Sequence, residues 1–261
     1  MSLLDLKGVS LSFAGSRVLD GVDYAVPPSQ IVSLIGPNGA GKTSLFNCIT
    51  GFYKPQQGSV QFDGTETLRL KPHQVTRLGI ARTFQNVRLF REMSVLENVM
   101  SGMHCRTRAG IIDAILGLPG QRREEAEIRA FSQGCLSFVG ITEGWDRDAT
   151  TLPYGWQRRV EIARALATKP RLLLLDEPAA GLTSGEKHDL IELIRRIRGE
   201  RDICILLIEH DIELVMSLSE RVSVLDHGVM IAEGTPKEIQ ANPRVIEAYL
   251  GVEDGEASLG F

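Results

Sequence analysis

The sequence predicts an α/β fold: a mostly parallel sheet flanked by helices, with a pair of strands at its start and a helical block inserted near its middle. Three observations carry this. Apolar runs of strand length, QIVSLIG at 30–36, LLLL at 172–175 and ICILLI at 203–208, alternate with stretches of helical periodicity, as strand–helix–strand units do. The stretch GPNGAGKTS at 36–44 joins the first of these runs to a helix. From Ser94 to about Asp148 helical periods take over, and the alternation then resumes.

The elements follow in order. Residues 3–13 and 18–26 alternate apolar and polar positions and read as paired strands with AGSR as their turn. QIVSLIG is a buried strand, and GKTSLFNCITG at 41–51 is a helix closed by Gly51. SVQFDG at 59–64 is a short strand, and ARTF at 81–84 is the end of another. Ser94, with Glu97 three residues on, forms a capping box and opens the helical block. QRREEAEIRAFSQGCLSFVG continues that block as a helix. In TLPYGWQRRVEIARAL a helix opens at Gly155 and runs toward the strand of RLLLLDEP. A helix over Ser184–Arg198, the strand of ICILLIEH, a helix from Asp211 and two short strands ending near Glu233 complete the order. The division that follows places a core in 1–90 and 151–240, a helical subdomain in 91–150, and a C-terminal helix and tail in 241–261. There is no internal repeat and no low-complexity segment.

Composition excludes several classes. At 261 residues, 43% hydrophobic and 24% charged, the chain is globular and long enough for a sizeable core. A net charge of -4 argues against a nucleic-acid partner. Arg122–Arg123 and Arg195–Arg196 have acids beside them, and the Arg122–Arg129 stretch reads as a solvated helical face before a partner surface. Cys48, Cys105, Cys135 and Cys204 form no C-x-x-C pair and read as reduced thiols. MSLLDLKGVSLSF carries an acid and a lysine among its apolar residues and is not a signal peptide. No apolar run has the length to cross a bilayer. The expectation is a soluble, cytoplasmic chain that would act at a membrane only through other subunits.

GPNGAGKTS fits G-x-x-x-x-G-K-[ST] between a buried strand and a helix, the context that motif requires. Gly36, Gly39 and Gly41 let the backbone wrap close to phosphates, with Pro37, Asn38, Ala40 and Ser44 completing the loop. Its amides and the helix start face an anion. Lys42 places a charge on the outer phosphates, and the Thr43 hydroxyl is suited to Mg²⁺. The alternative is a glycine-rich turn that only joins strand to helix. In RLLLLDEP, Asp176 and Glu177 sit at the C-terminal edge of a buried strand, where open α/β sheets bind ligands. Asp176 can hold Mg²⁺, and Glu177 can take the proton of an attacking water; the alternative is a solvated acidic turn. His210 ends the next strand, and reads either as a phosphate contact or as a satisfied structural histidine. Gln85, after ARTF, is a polar residue past a strand, or an amide that orients water or senses Mg²⁺. Phe13 is core by its spacing, or a base-stacking aromatic at a strand end.

Phosphate loop, Gln85, a glycine-bearing helix start, LLLLDEP and His210 occur in the order seen in ATP-binding subunits of ABC transporters, and the resemblance covers nearly the whole chain. FQNVRLFREMSVLENVM, YGWQRRVEIARAL, LDEPAAGL, LLIEHDIELVM and NPRVIEAYLG resemble the ATPase subunits of branched-chain amino-acid importers, with importers of urea and other polar solutes close by. The resemblance implies a P-loop NTPase of ABC type, with an antiparallel β subdomain and an inserted helical subdomain. It implies ATP and Mg²⁺ as ligands, with adenine stacking by Phe13, Mg²⁺ contact and coupling by Gln85, and γ-phosphate contact by His210. It implies a head-to-tail pair with a second ABC ATPase, the same or different, in which each ATP meets one chain's phosphate loop and the other's signature. It also implies a separate integral permease, one of whose cytoplasmic helices enters a groove near Gln85, a solute-binding protein acting indirectly, and a peripheral location on the cytoplasmic face of the membrane.

The signature here reads Leu152-Pro153-Tyr154-Gly155-Trp156, where the family has L-S-G-G-Q. Gly155 keeps its amide. Pro153 replaces a serine that caps the helix and gives a hydroxyl to phosphate, and proline has neither that hydroxyl nor an N–H. Its φ suits a helix start, so the fold is expected to hold and the anion site to weaken. Trp156 replaces a polar residue, and Thr183 replaces an Asp or Asn that bridges the two subunits. The expected activity is ATP hydrolysis coupled to solute import; the alternative is a nucleotide-gated dimerisation module with weak hydrolysis. DNA-repair or translation ABC proteins need long coiled coils or tandem units, and GTPases need N-K-x-D; neither is present.

Overall fold

A computed structural model describes residues 2–106 and 119–250. β1 (Leu4–Phe13) and β2 (Ser16–Val26) form an antiparallel hairpin with Phe13 opposite Ser16. The turn is therefore Ala14–Gly15 alone, tighter than the AGSR expected. Both residues have positive φ, 46° and 86°, the left-handed pair that matches the twist of the flanking strands. β4 (Gln57–Phe62) pairs with the other edge of β1, and β5 (Thr65–Glu66) follows it, giving the antiparallel order β2-β1-β4-β5.

The second sheet has the order β10-β9-β3-β8-β7-β6. Its strands are β3 (Ile31–Ile35), β6 (Ile80–Arg82), β7 (Leu172–Asp176), β8 (Cys204–Ile208), β9 (Arg221–Asp226) and β10 (Val229–Gly234). All pairings are parallel except that of the edge strand β10 with β9. Every residue of β3, β7 and β8 is buried. That is why these strands read as unbroken apolar runs: both faces are covered.

The two faces carry different layers. Leu172, Leu174, Leu206, Ile208, Val32 and Leu34 pack with α1 (Lys42–Ile49) and the antiparallel sheet. Leu173, Leu175, Ile205 and Leu207 pack with α3 (Val95–Ser101), α4 (Pro119–Phe138), α5 (Tyr154–Ala167) and α6 (Ser184–Arg201). Between β5 and β6 lies α2 (Pro72–Leu78), a helix the sequence reading passed over. Lys71 caps it, Pro72 opens it and Gly79 ends it at φ 116°. α7 (Ile212–Leu218), α8 (Pro236–Gln240) and α9 (Pro243–Leu250) close the described chain, and residues 251–261 of the expected tail lie outside it.

Boundaries shift by a few residues for local reasons. α5 begins at Tyr154, one residue before the expected Gly155, because Pro153 with φ −54° and ψ 150° is already the cap. α6 runs to Arg201 and not Arg198, ending only where Asp202 turns left-handed at φ 52°. Asp211 is the cap of α7, its carboxylate accepting the Leu214 N–H. The Ser94–Glu97 capping box is present, and Ser94 bridges to Asp148, so the helical block leaves and returns at one point. Cys48, Cys135 and Cys204 are buried, Cys105 is half-buried, and none of the four is in a disulfide. Within Arg122–Arg129 the side chain of Arg122 lies outside the described residues; Arg123 is exposed and pairs with Glu127 at 3.2 Å, as on a solvated face.

Candidate functional site

Three adjacent strands, β3, β8 and β7, end at one edge of the sheet, and each delivers one part of the site. After β3 comes the phosphate loop. Gly36 has φ 152°, and a Cβ there would collide with the Leu225 carbonyl; Gly39 and Gly41 have φ 81° and 104°. Only glycine takes these conformations cheaply, so the loop stays open above the start of α1. Pro37, Asn38 and Ala40 lie within it, and Lys42, Thr43 and Ser44 form the first turn of α1. The Lys42 ammonium folds back over the loop and donates to the carbonyls of Gly36 at 2.6 Å and Pro37 at 2.9 Å. Burial pulls its pKa below the ordinary value, and the nearby Glu177 and Asp176 carboxylates partly restore it.

Asp176 is the last residue of β7 and is buried. Its Oδ2 accepts from the Arg82 guanidinium at 2.6 Å, and Arg82 also donates to Asn47 of α1 at 2.6 Å. The pair leaves the other carboxylate oxygen for a cation. Glu177 follows in the left-handed region at φ 44°, its amide held by the Ile208 carbonyl. Such a conformation at a non-glycine residue costs about 1–3 kcal/mol and concentrates at functional sites. Gln85 donates its side-chain amide to Glu177 Oε2 at 2.8 Å, and His210 Nδ1 lies 3.6 Å from the same oxygen. Gln85, Glu177 and His210, far apart in sequence, thus meet at one carboxylate.

Phe13 lies away from the core its spacing allowed. It is 45% exposed and meets Tyr53 edge to face at 5.1 Å, so an aromatic corner stands at the hairpin end. Gly155 is seated against Glu186 of α6, where a Cβ would collide with the carboxylate. The same carboxylate accepts from the amide and hydroxyl of Thr183 at 2.9 and 2.8 Å, so Thr183 caps α6. Pro153 makes no side-chain cap bond, and its carbonyl takes the N–H groups of Trp156 and Gln157, both at 3.0 Å. Trp156 is 41% exposed, with the Arg159 guanidinium 5.1 Å from its ring centre.

Among the described residues no group of three or more His, Cys, Asp or Glu could hold a metal. The Asp176 carboxylate, the Thr43 hydroxyl and the Gln85 amide instead suit a hard cation that brings most of its oxygens with a phosphate.

Sequence reasoning passed over Arg82, Tyr53, Arg158, Glu161 and Glu209. The last three are charged yet nearly fully buried. Glu209 accepts the Ala179 N–H at 2.8 Å, tying the turn after Glu177 to the end of β8, and burial pushes its carboxyl pKa up. The available signal was a charge at an apolar position: Arg158 and Glu161 fall on the buried stripe of α5 with Val160, Ile162 and Ala165. Beside the site is a groove of about 480 Å³ lined by Phe52, Val75, Phe84, Arg88, Phe90 and Arg164, among others.

A family model described as ABC transporter matches residues 19–180, and one described as branched-chain amino acid ATP-binding cassette transporter matches residues 229–255. The chain is 47% identical to the high-affinity branched-chain amino acid transport ATP-binding protein BraF of Pseudomonas aeruginosa, over 95% of this chain and 98% of that one. It is 46% identical, with the same coverage, to the corresponding protein LivG of Escherichia coli K12. Among solved structures, the ADP conformation of an ATP-binding cassette of an ABC transporter superposes with a TM-score of 0.83 at 32% identity, over 96% of this chain and 99% of that one. A dimeric, post-hydrolysis cassette bound to ADP and Pi gives a TM-score of 0.76 at 26% identity, over 89% of this chain and 98% of that one.

Proposed function

Because the chain belongs to the ABC transporter family, we propose that it is the ATP-hydrolysing subunit that powers import of branched-chain amino acids, or a related small polar solute, through a separate permease. The observation that carries the chemistry is the meeting of Gln85, Glu177 and His210 beside the phosphate loop. The loop amides and Lys42 hold the phosphates of ATP. Glu177 takes the proton of the attacking water, and its strained backbone fixes the carboxylate at the sheet edge. His210, 3.6 Å from Glu177, would contact the γ-phosphate. Phe13, with Tyr53 behind it, offers a face to adenine. Thr43, Asp176 and Gln85 would hold Mg²⁺, which when bound neutralises charge on the phosphates.

Gly155 and the start of α5 complete the site of a second ATPase, another copy or a related chain. The dimeric relative with bound ADP and Pi supports that arrangement. The groove beside Gln85, with Phe52 and Phe90 exposed at its rim, receives a cytoplasmic helix of the permease, and a solute-binding protein acts only through that permease. No helix among the described residues is long and apolar enough to cross a membrane. On this reading the permease holds the chain at the cytoplasmic face of the membrane.

The test is Glu177→Gln in the assembled transporter. It removes only the proton acceptor, so MgATP binding should persist, hydrolysis should fall sharply and a closed ATP-bound pair should accumulate. Hydrolysis at the parent rate would show that Glu177 is not the base.

A further inference from the structure

We propose that the buried pair Arg158–Glu161 on α5 is a positioning device for Gln85: it fixes the loop carrying that side chain to the helix that opens at the signature. The inference rests on the reading that Gln85 and Glu177 serve hydrolysis.

The starting point is a charge where none is needed for packing. The Arg158 and Glu161 side chains are 1% and 2% exposed, with Arg158 Nη1 2.8 Å from Glu161 Oε2. A buried ion pair is a weak source of stability, and apolar residues of similar volume usually serve as well. What these two do beyond packing is hold backbone. Arg158 Nη1 donates to the Phe84 carbonyl and Nη2 to the Gln85 carbonyl, each at 2.6 Å, and Nη2 also reaches the Tyr154 hydroxyl at 3.1 Å. Glu161 Oε1 accepts the N–H groups of Phe84 and Arg88, both at a long 3.4 Å.

The loop uses such partners. β6 stops at Arg82, and the Thr83 amide makes the last bond to the neighbouring strand, at the Leu174 carbonyl. Beyond it the chain leaves the sheet, and although Phe84 is only half-buried and Gln85 exposed, their carbonyls take protein donors in place of water. A guanidinium satisfies two successive carbonyls because its donors form a rigid planar fork; an ammonium cannot do both in one geometry. From that anchored backbone the Gln85 side chain reaches Glu177 Oε2 at 2.8 Å. A continuous path therefore runs from α5 through the Gln85 backbone and amide to Glu177. Arg158 lies one helical turn after Gly155, so a shift of the α5 start under a partner's phosphate is delivered to Gln85 of the same chain.

The test uses the full chain assembled with its permease. Arg158→Gln combined with Glu161→Gln removes both charges of the pair and leaves only Arg164, 3.8 Å from Glu161 and partly open to solvent, without its carboxylate; Arg158→Lys is the conservative variant should the double one not fold. Amide hydrogen exchange over 84–88 reads the anchoring directly and does not depend on hydrolysis. It should speed up by roughly tenfold to a hundredfold at Phe84 and Arg88, each of which loses one charge-assisted bond to Glu161, with β7 and α1 unchanged. The Mg²⁺ concentration giving half-maximal ATPase should rise about fivefold, the factor that loss of one hydrogen bond of average strength produces. Arg158→Lys should fall between parent and double variant in both readouts. Unchanged exchange in a folded variant would overturn the anchoring. Faster exchange with an unchanged Mg²⁺ dependence would overturn its role in placing Gln85. The hydrolytic reading itself stands or falls on Glu177→Gln, a separate result.

Discussion

Replacing Pro153 by serine separates the fold of the signature from its chemistry. Pro153 caps α5 with φ −54° and ψ 150° and contributes no side-chain bond. A serine takes this extended backbone without strain, and its hydroxyl can accept one of the free N–H groups of the first turn, a gain of about 1 kcal/mol. Against this, losing proline's fixed φ returns freedom to the unfolded chain and costs about 0.4–1 kcal/mol. The two nearly cancel, so the melting temperature should move by only a few degrees. Hydrolysis is another matter. A hydroxyl aimed at a phosphate makes a charge-assisted hydrogen bond of about 1.5–3 kcal/mol. If it acts in the transition state, each ~1.4 kcal/mol is tenfold in rate, so the site completed by this signature should speed up by roughly tenfold to a hundredfold. In the proposed head-to-tail pair that site holds the partner's ATP. Single-turnover hydrolysis in the assembled transporter is the assay: two different subunits give a fast and a slow phase, two copies of this chain a slow phase alone. A slow phase that becomes fast at an unchanged melting temperature is the expected result. An unchanged slow phase would refute the reasoning and leave phosphate binding to Gly155 and the helix start.

Lys42→Ala should weaken MgATP binding sharply, because a partly buried charge contact to phosphate is lost; titration calorimetry at an affinity near the parent's would rule the contact out. Arg82→Gln should destabilise the chain by about 3–5 kcal/mol, since it leaves Asp176 buried and unpaired; a urea midpoint close to the parent's would mean that water reaches Asp176. Gly155→Ala gains up to about 1 kcal/mol in helix propensity but turns the flexible Glu186 carboxylate away from its Thr183 bonds, a capping loss of about 1 kcal/mol, so the urea midpoint should stay near the parent's; a large drop would show that the carboxylate cannot move. Backbone bonds at the caps, then side-chain bonds, hold Glu97, Glu186 and Glu238 below the ordinary carboxylate range. Their stabilisation is therefore present above the unfolded value of about 4.3 and is lost as pH falls through the lower folded values. The contribution of these caps should be constant from neutrality to about pH 5 and fall below about pH 4.3, read as the gap in denaturation midpoint between parent and Glu186→Gln, which should narrow in acid.

What the sequence disclosed follows from how each feature is encoded. Strands covered on both faces need unbroken apolar runs, so β3, β7 and β8 were legible, and so was the glycine spacing of the loop between β3 and α1. α2 escaped because it is short and only Val75 of its residues is buried, which leaves no periodic stripe to read. The turn at Ala14–Gly15 was drawn too wide because alanine seldom adopts a positive φ. The partners that hold the site were hidden for a different reason. Arg82, Arg158 and Glu209 resemble surface charges in composition, and only tertiary contact shows that each is buried against loop backbone or a carboxylate.

The attachment of the helical block has a mechanical consequence. The chain leaves the sheet at β6 and returns at β7, its immediate neighbour, with Arg82 opposite Leu174. The base on which the block stands is thus about one strand spacing wide, ~4.8 Å. α4, with 20 residues, is about 30 Å long at 1.5 Å per residue. A body of that length tilting by about 10° on so narrow a footing sweeps its far end through roughly 5 Å, while the footing moves less than about 1 Å. A tilt of the block about that footing would reach Thr83–Arg88, the segment that carries Gln85, reduced in amplitude and multiplied in force.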